Sequence, residues 1–245
     1  MSVIILILQL ILAVILLPLY ILYYLGIWGF ILKKIFPLFV SRISVSYNKV
    51  MENYKHSLFS NLSDFAGSTK ELRLLDVGCG TGANFRFYPN GCRVTCLDCN
   101  PNFQTYLRKS QAENDHLKYD GFLLASADNM TPVADASMDV VVCTLLTCSV
   151  PSTPAVLEEV HRVLRPGGAL YFIEHVASTD ESSWTSFFQK VLNPTWKLIF
   201  DGCNMRKTTW KDLEDAKFSE LNLRHIYAPT ALKLNSPHII GYAVK

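Results

Sequence analysis

The fold is decided by the stretch Leu75-Asp76-Val77-Gly78-Cys79-Gly80-Thr81-Gly82, in which three glycines at alternate positions follow a short apolar run. Glycine lets a backbone adopt positive φ and come close to a ligand. The stretch therefore predicts a strand that ends in a tight turn against a bound group.

Outward from this turn, strand-like runs alternate with helical stretches, which is typical of a parallel α/β sheet. Strands are predicted at 72–77, 93–97, 122–125, 138–143 and 169–173. Asn100-Pro101 and Thr153-Pro154 are each typical of an N-cap followed by the first helical residue. Near the end, runs at 221–227 and 238–244 are joined by a link too short for a crossover helix, so they are predicted to form an antiparallel hairpin.

The amino-terminal segment is apolar throughout: residues 1–32 contain no Asp, Glu, Lys, Arg or His. A straight helix over this run would measure ~45 Å, longer than a ~30 Å hydrocarbon core. We therefore predict a membrane anchor over 1–34, formed either by one tilted helix or by a hairpin broken at Pro18. Because Lys33 and Lys34 follow the apolar run, the rest of the chain is expected on the cytosolic face.

Two further regions complete the predicted organisation. Residues 35–69 are predicted as a linker and capping helix, because apolar residues recur at helical spacing between 41 and 65, as at Val50 and Leu58. Residues 70–245 are predicted to form the α/β domain.

Composition excludes several classes of protein. Of the 245 residues, 50% are hydrophobic and 18% are charged, which excludes a disordered chain. The net charge of +2 comes without a basic run, so no nucleic-acid partner is expected. Cys92, Cys96 and Cys99 have a spacing that suggests a metal centre, but the first two would lie ~13 Å apart along a strand and the third has the opposite parity. No metal site is predicted.

The glycine turn alone is compatible with two cofactors. Gly78, Gly80 and Ala83 also satisfy the dinucleotide fingerprint, and Asp98 lies 20 residues beyond Gly78, where a ribose-binding acid is expected. Asp76, however, places a carboxylate just ahead of the glycines. A carboxylate is a poor neighbour for a pyrophosphate and a good one for an ammonium and a sulfonium. The charge pattern therefore favours S-adenosyl-L-methionine.

Together with Asp128-Asn129 after the third strand and the turn at 163–168, these residues resemble the class I S-adenosylmethionine-dependent methyltransferases with a terminal reversed hairpin. When the apolar leader and the segments 200–204 and 241–245 are included, the chain resembles the microsomal alkyl thiol S-methyltransferases of the methyltransferase-like group. The resemblance implies a Rossmann-like sheet, methylation of small alkyl thiols, and anchoring to endoplasmic reticulum and lipid droplets.

The candidate site residues follow from these patterns and from the resemblance. The residues predicted to bind the cofactor are Asp76, Gly78, Gly80, Gly82, Asp98, Asp128, Asn129 and Cys143. His175, at the carboxyl end of the fifth strand, is the leading candidate for a catalytic base, and its alternative is a structural histidine bonded to Glu174. Cys143 and Cys148 flank the place where cofactor and acceptor should meet, and their alternative is apolar packing.

Two other functions stay open at this point. The same sheet with a different cover could methylate a membrane lipid or quinone, and the aromatic segment 178–212 is expected to line an apolar acceptor pocket in part. A lipid-droplet interaction protein that keeps the fold without turnover is the alternative from another class.

Overall fold

The structure is a computed structural model that describes residues 2–67 and 71–245. In this part of the chain, the strands are β1 Arg73–Val77, β2 Arg93–Asp98, β3 Lys118–Leu124, β4 Met138–Thr144, β5 Leu164–His175, β6 Glu220–Tyr227 and β7 Pro237–Val244. The α-helices are α1 Ser2–Ile15, α2 Leu17–Tyr24, α3 Ile27–Phe59, α4 Gln104–Ala112, α5 Thr153–Val163, α6 Trp184–Ile199 and α7 Thr209–Asp215. Short 3₁₀ helices occur at Leu62–Phe65, Phe85–Phe87, Pro101–Phe103 and Lys233–Asn235.

The described strands form one sheet in the order β3-β2-β1-β4-β5-β7-β6. The strands β1 to β5 pair in parallel, whereas β7 runs antiparallel to both β5 and β6. The predicted parallel α/β sheet and its terminal antiparallel hairpin are therefore confirmed. Because β1, β4 and β5 are parallel, their carboxyl ends meet at one edge, where open α/β sheets bind ligands.

Helices cover both faces of the sheet, which explains why its central strands are apolar without interruption. Leu74 of β1 points to one face and packs in a cluster with Met51 of α3. Leu75 points to the other face and packs in a cluster with Val160 of α5. All four side chains are fully buried, and each contributes ~1.5–3 kcal/mol through burial.

The amino-terminal segment differs from the predicted anchor. In the described residues, no single helix is long and apolar enough to cross a membrane. The run breaks at Leu16, and α1 and α2 meet at 79°, so that only the bent pair has the length and composition of a broken span or a re-entrant loop. The single tilted helix is therefore wrong, and the bend is smaller than the reversal that a hairpin requires. Pro18 lies in the first turn of α2, where its missing N–H costs no hydrogen bond.

The predicted segment boundaries also change. Helix α3 continues through the boundary at 34/35, and it ends at Phe59 instead of near residue 65. Its buried face includes Met51 rather than Val50, which is exposed. The predicted boundary at 69/70 and part of the predicted break at 66–68 lie outside the described residues.

The two predicted helix caps have different outcomes. Asn100 caps as expected, since its side-chain oxygen accepts from Asn102 N. At the second position, the cap of α5 is Ser152, whose hydroxyl accepts from Ala155 N, and Thr153 is already helical.

Candidate active site

The glycine turn follows β1 at the carboxyl edge of the sheet. Gly78, Gly80 and Gly82 have φ values of 66°, 51° and 74°, a region that other residues adopt only with strain. A Cβ on Gly78 would lie 2.7 Å from Leu146 Cδ1, whereas a Cβ on Gly80 would find no atom closer than Phe103 Cε1 at 3.7 Å. Gly78 is therefore required by packing, whereas a methyl group at Gly80 would make only ordinary van der Waals contacts within the protein.

Asp98, at the end of β2, closes this turn. Its Oδ2 accepts from Gly80 N at 3.0 Å and its Oδ1 from Asn100 N at 2.9 Å. Burial raises the pKa of this carboxyl, and the two amide bonds oppose that shift. Each carboxylate oxygen keeps a further lone pair, so Asp98 can accept from both hydroxyls of a ribose while it holds the turn. Asp98 can therefore hold the turn and bind the cofactor at the same time.

Asp76 lies beneath the turn and is only 1% exposed. Its Oδ2 accepts from Tyr88 Oη at 2.8 Å. Burial raises the pKa of Asp76 to about 7, against the lowering effects of Tyr88 and of Lys55. The predicted contact between Asp76 and the cofactor ammonium stays a prediction.

Lys55 was not predicted and is the main electrostatic feature under the turn. Its Nζ donates to Asn48 Oδ1 and to Asn84 Oδ1, both at 2.7 Å, and the side chain is buried. Asn84 also donates to Thr144 Oγ1 at 3.1 Å, which ties the network to the end of β4. Burial lowers the pKa of Lys55 to about 7. Its position four residues after Met51, on the buried face of α3, is the sequence signal that could have identified it.

Three further residues were predicted to bind the cofactor, namely Asp128, Asn129 and Cys143. Asp128 is partly exposed after β3 and accepts from Ser126 Oγ at 2.5 Å. Asn129 is exposed and accepts from the Thr131 hydroxyl. Cys143 is buried in the apolar core, as in its packing alternative, and burial raises the pKa of its thiol. The cofactor roles of these three residues stay predictions.

His175 ends β5 and pairs in register with His238 at the start of β7. Several buried polar atoms at this point have no hydrogen-bond partner in the described residues. They are Tyr47 Oη, Glu174 Oε2, His175 Nδ1 and His238 Nε2. The Tyr47 ring stacks on the His238 ring at 6.0 Å, and His238 lies 6.3 Å from His175. Unpartnered buried polar atoms are costly, so their concentration here indicates a place for a polar ligand.

The predicted alternative for His175, a bond to Glu174, is not what the structure contains. Glu174 Oε1 instead accepts from the backbone N–H groups of Leu146 and Thr147, each at 3.0 Å. His175 Nε2 lies 2.9 Å from Cys203 Sγ. Burial lowers the pKa of His175, but interactions with Cys148 and Glu174 outweigh burial and raise it overall.

Cys203 was also not predicted as a site residue. It lies in the loop after α6, and Trp196 Nε1 donates to its sulfur at 3.2 Å. Only the similarity of the segment 200–204 to a family pattern pointed to this loop.

Helix α3 packs against the site. Its Lys33 carbonyl accepts from Asn100 Nδ2 at 2.9 Å, next to Asp98. Tyr47 stacks on His238, and the next residue, Asn48, donates from Nδ2 to Ala83 O at 2.6 Å, just past the glycine turn. The helix therefore links the cofactor side of the edge to the histidine side.

With this geometry established, comparison with known proteins identifies the family. The chain matches the family described as methyltransferase domain over residues 75–172. The human protein named thiol S-methyltransferase TMT1A is 58% identical over 222 residues, which cover 91% of each chain. The rat protein named thiol S-methyltransferase TMT1B is 50% identical over 245 residues, the whole of both chains. The chain belongs to the thiol S-methyltransferase family.

Family membership confirms two predictions from the sequence: the protein is a methyltransferase, and its cofactor is S-adenosylmethionine. The solved structure of geranyl diphosphate methyltransferase in complex with S-adenosylmethionine has a TM-score of 0.53 and 15% identity, with 76% of this chain and 83% of that chain covered. At this identity the similarity shows the fold alone. The further lone pairs of Asp98, beside a turn that carries no side chain at Gly80, fit the adenosyl ribose of this cofactor.

Proposed function

We propose that the protein transfers the methyl group of S-adenosylmethionine to the sulfur of small alkyl thiols. The observation that carries the proposal is a polar, sulfur-containing edge next to the glycine turn, in a chain whose relatives across its whole length are named for this reaction. Leu146 contacts the position of Gly78, and the Glu174 carboxylate binds Leu146 N. Leu146 and Glu174 thus connect the cofactor turn to the chain position next to His175.

The chemistry requires alignment and a deprotonated sulfur. The thiolate is the nucleophile, and in-line attack needs the sulfur and the methyl carbon to be held ~3–3.5 Å apart. The sulfur–carbon bond forms as the sulfonium–methyl bond breaks, and the electron pair of the broken bond stays on the cofactor sulfur. We assign His175 to promoting deprotonation of the acceptor, because its ring is buried and one nitrogen is unpartnered.

A labelled-methyl assay on the purified full-length protein tests this function with a panel of thiols, phenols, amines and extracted lipids. We expect label on thiols, and His175→Asn should lower kcat at least ~10-fold without changing S-adenosylmethionine affinity. His225→Asn is the matched control, because His225 is exposed on the edge strand β6. Label on lipids or quinones alone would contradict the proposal and support the alternative acceptor class.

We further propose that the apolar amino-terminal region holds the enzyme on the cytosolic face of the endoplasmic reticulum membrane and on lipid droplets. Large apolar side chains are exposed along α1, namely Val3, Ile4, Leu6, Ile7, Leu10, Ile11, Val14 and Ile15. Such an exposed apolar surface is typical of a membrane-binding face. Helix α1 is fixed to α6 by a hydrogen bond from Gln9 Nε2 to Lys190 O at 2.8 Å. The exposed Trp184 and Phe188 at the start of α6 extend the apolar surface.

Flotation of the protein with phosphatidylcholine vesicles tests this membrane role. Replacing Trp184 and Phe188 by serine should reduce the floated fraction severalfold, because the apolar surface loses two aromatic rings. Tyr227→Ser is the control, since Tyr227 is 65% exposed on β6 and lies in a different element. Equal flotation of all three proteins would exclude a membrane role for α6.

A further inference from the structure

Cys148, His175 and Cys203 come together at the carboxyl edge of the sheet from three separate parts of the chain. Their ligand atoms, two sulfurs and a ring nitrogen, all lie within 4.8 Å of one another. We propose that these three residues bind a zinc ion whose fourth position takes the acceptor thiol. This inference rests on the proposed function, and it reverses the sequence-based expectation that the protein has no metal site.

The chemistry of the donor set selects the ion. Two thiols and one imidazole, without a carboxylate or carbonyl among them, suit zinc and disfavour magnesium and calcium. Three protein ligands with one open position are the pattern of a catalytic rather than a structural zinc site. Tetrahedral zinc at ordinary bond lengths separates its ligand atoms by ~3.5–3.8 Å. The 2.9 Å between His175 Nε2 and Cys203 Sγ therefore has to lengthen by ~0.6 Å, a small movement of a loop side chain.

The surroundings of the cluster support a bound thiolate. Trp196 Nε1 donates to Cys203 Sγ, and the Trp196 ring stacks on Phe200 with 3.9 Å between centroids, which fixes the indole. Outer donors of this kind orient metal ligands and are needed for metal affinity. The Glu174 carboxylate holds the backbone N–H of Thr147, directly before Cys148. Two of the three ligands are thus positioned by contacts that do not depend on the ion.

A route to the cluster is also present. A cavity of about 240 Å³ is lined in part by Cys148, Gly202, Lys197 and Lys207. The two lysines give its walls positive charge, which favours entry of an anionic or partly ionised thiol. The cavity thus offers both the ion and a small acceptor a route to Cys148.

Zinc explains how the acceptor becomes a nucleophile. With two thiolates and a neutral imidazole, the zinc site has no net charge, and the incoming thiol loses its proton to cavity water as its sulfur binds the metal. The bound sulfur then carries negative charge towards the positive sulfonium. It attacks the methyl carbon, the sulfonium–methyl bond breaks with its electron pair left on the cofactor sulfur, and the neutral thioether product leaves because it is a weak ligand. His175 thus promotes deprotonation as a metal ligand.

Metal analysis of the purified full-length protein is the first test. We expect about one zinc per chain, and loss of zinc in Cys148→Ser, Cys203→Ser and His175→Asn. Cys92→Ser is the matched control, since Cys92 is equally buried but lies at the opposite edge of the sheet. Replacement of zinc by cobalt(II) in the unmodified protein should give thiolate-to-cobalt absorption bands that shift when an alkyl thiol is added. This spectrum needs no variant and stays informative if a variant misfolds.

Activity supplies the second test. A free thiol is only a few per cent ionised at pH 7, so removing zinc by chelation should lower thiol methylation ~30-fold, and added zinc should restore it. S-adenosylmethionine affinity should change less than about twofold, because the glycine turn supplies none of the three proposed ligands. Full thiol methylation by metal-free protein would overturn the zinc proposal and leave the proposed function intact. A zinc-bound protein with shifting cobalt bands and no thiol methylation would overturn the proposed function instead.

Discussion

Replacing Gly80 by alanine separates the conformational role of the glycine turn from its role in cofactor binding. Gly80 has φ +51°, and an added Cβ would meet nothing closer than 3.7 Å, so the substitution causes no clash within the protein. A left-handed alanine costs ~1–2 kcal/mol, and the lower entropy of the unfolded alanine chain returns ~0.4–1 kcal/mol. We therefore expect the free energy of unfolding to fall by only ~1 kcal/mol.

Cofactor affinity should respond much more strongly. The new methyl group would project at the turn, next to the space that we assign to the adenosyl group, so the S-adenosylmethionine Kd should rise at least ~10-fold, equivalent to ~1.4 kcal/mol. Gly91→Ala is the matched control, because Gly91 has φ +75°, finds no atom within 4 Å of its added Cβ, and lies at the opposite edge of the sheet. Denaturation and titration calorimetry measure the two quantities. An unchanged Kd in Gly80→Ala would refute the assignment of this space to the cofactor.

Three other substitutions test the scaffold. Ser152→Ala removes the cap that accepts from Ala155 N, and urea denaturation should show ~1 kcal/mol lower stability. Burial raises the pKa of Asp139, but hydrogen bonds from two arginines outweigh burial and lower it below its usual 3.8. Because this pKa is lowered on folding, the ionised Asp139 stabilises the fold above pH 3.8, and this stabilisation is lost as the pH falls further. The free energy of unfolding should therefore fall less steeply with acid in Asp139→Asn than in the unmodified protein. Tyr88→Phe leaves the Asp76 carboxylate without its donor and should lower the free energy of unfolding by ~1–3 kcal/mol. The loss should be larger above pH 7 than below it, because the pKa of Asp76 is about 7 and its charged form needs the hydrogen bond.

The sequence predicted the sheet well because its signals are local. Each central strand is a short apolar run with both faces covered, and the glycines of the turn all have positive φ. Boundaries were less accurate for the same reason: Ser152 and Thr153 are both good caps, and only the fold of the preceding loop decides between them.

The amino-terminal region shows the opposite case. Composition left one tilted helix and a hairpin broken at Pro18 both open, whereas the structure divides the run into three helices, with a break at Leu16 and contacts between α1 and α6. Trp28 Nε1, within the apolar run, donates to Leu198 O at 2.6 Å. Such contacts join residues 170 positions apart, and no periodicity reports them.

The sequence by itself determined the sheet, its reversed hairpin, the glycine turn and the class of cofactor, because backbone period, glycine conformation and charge next to the turn are properties of neighbouring residues. Only the tertiary structure placed Lys55 under the turn and brought Cys203 to His175 and Cys148. These side chains meet because the carboxyl ends of the parallel strands lie at one edge of the sheet and helices pack against that edge. The assembly of the acceptor side therefore depends on packing between distant segments rather than on any local motif.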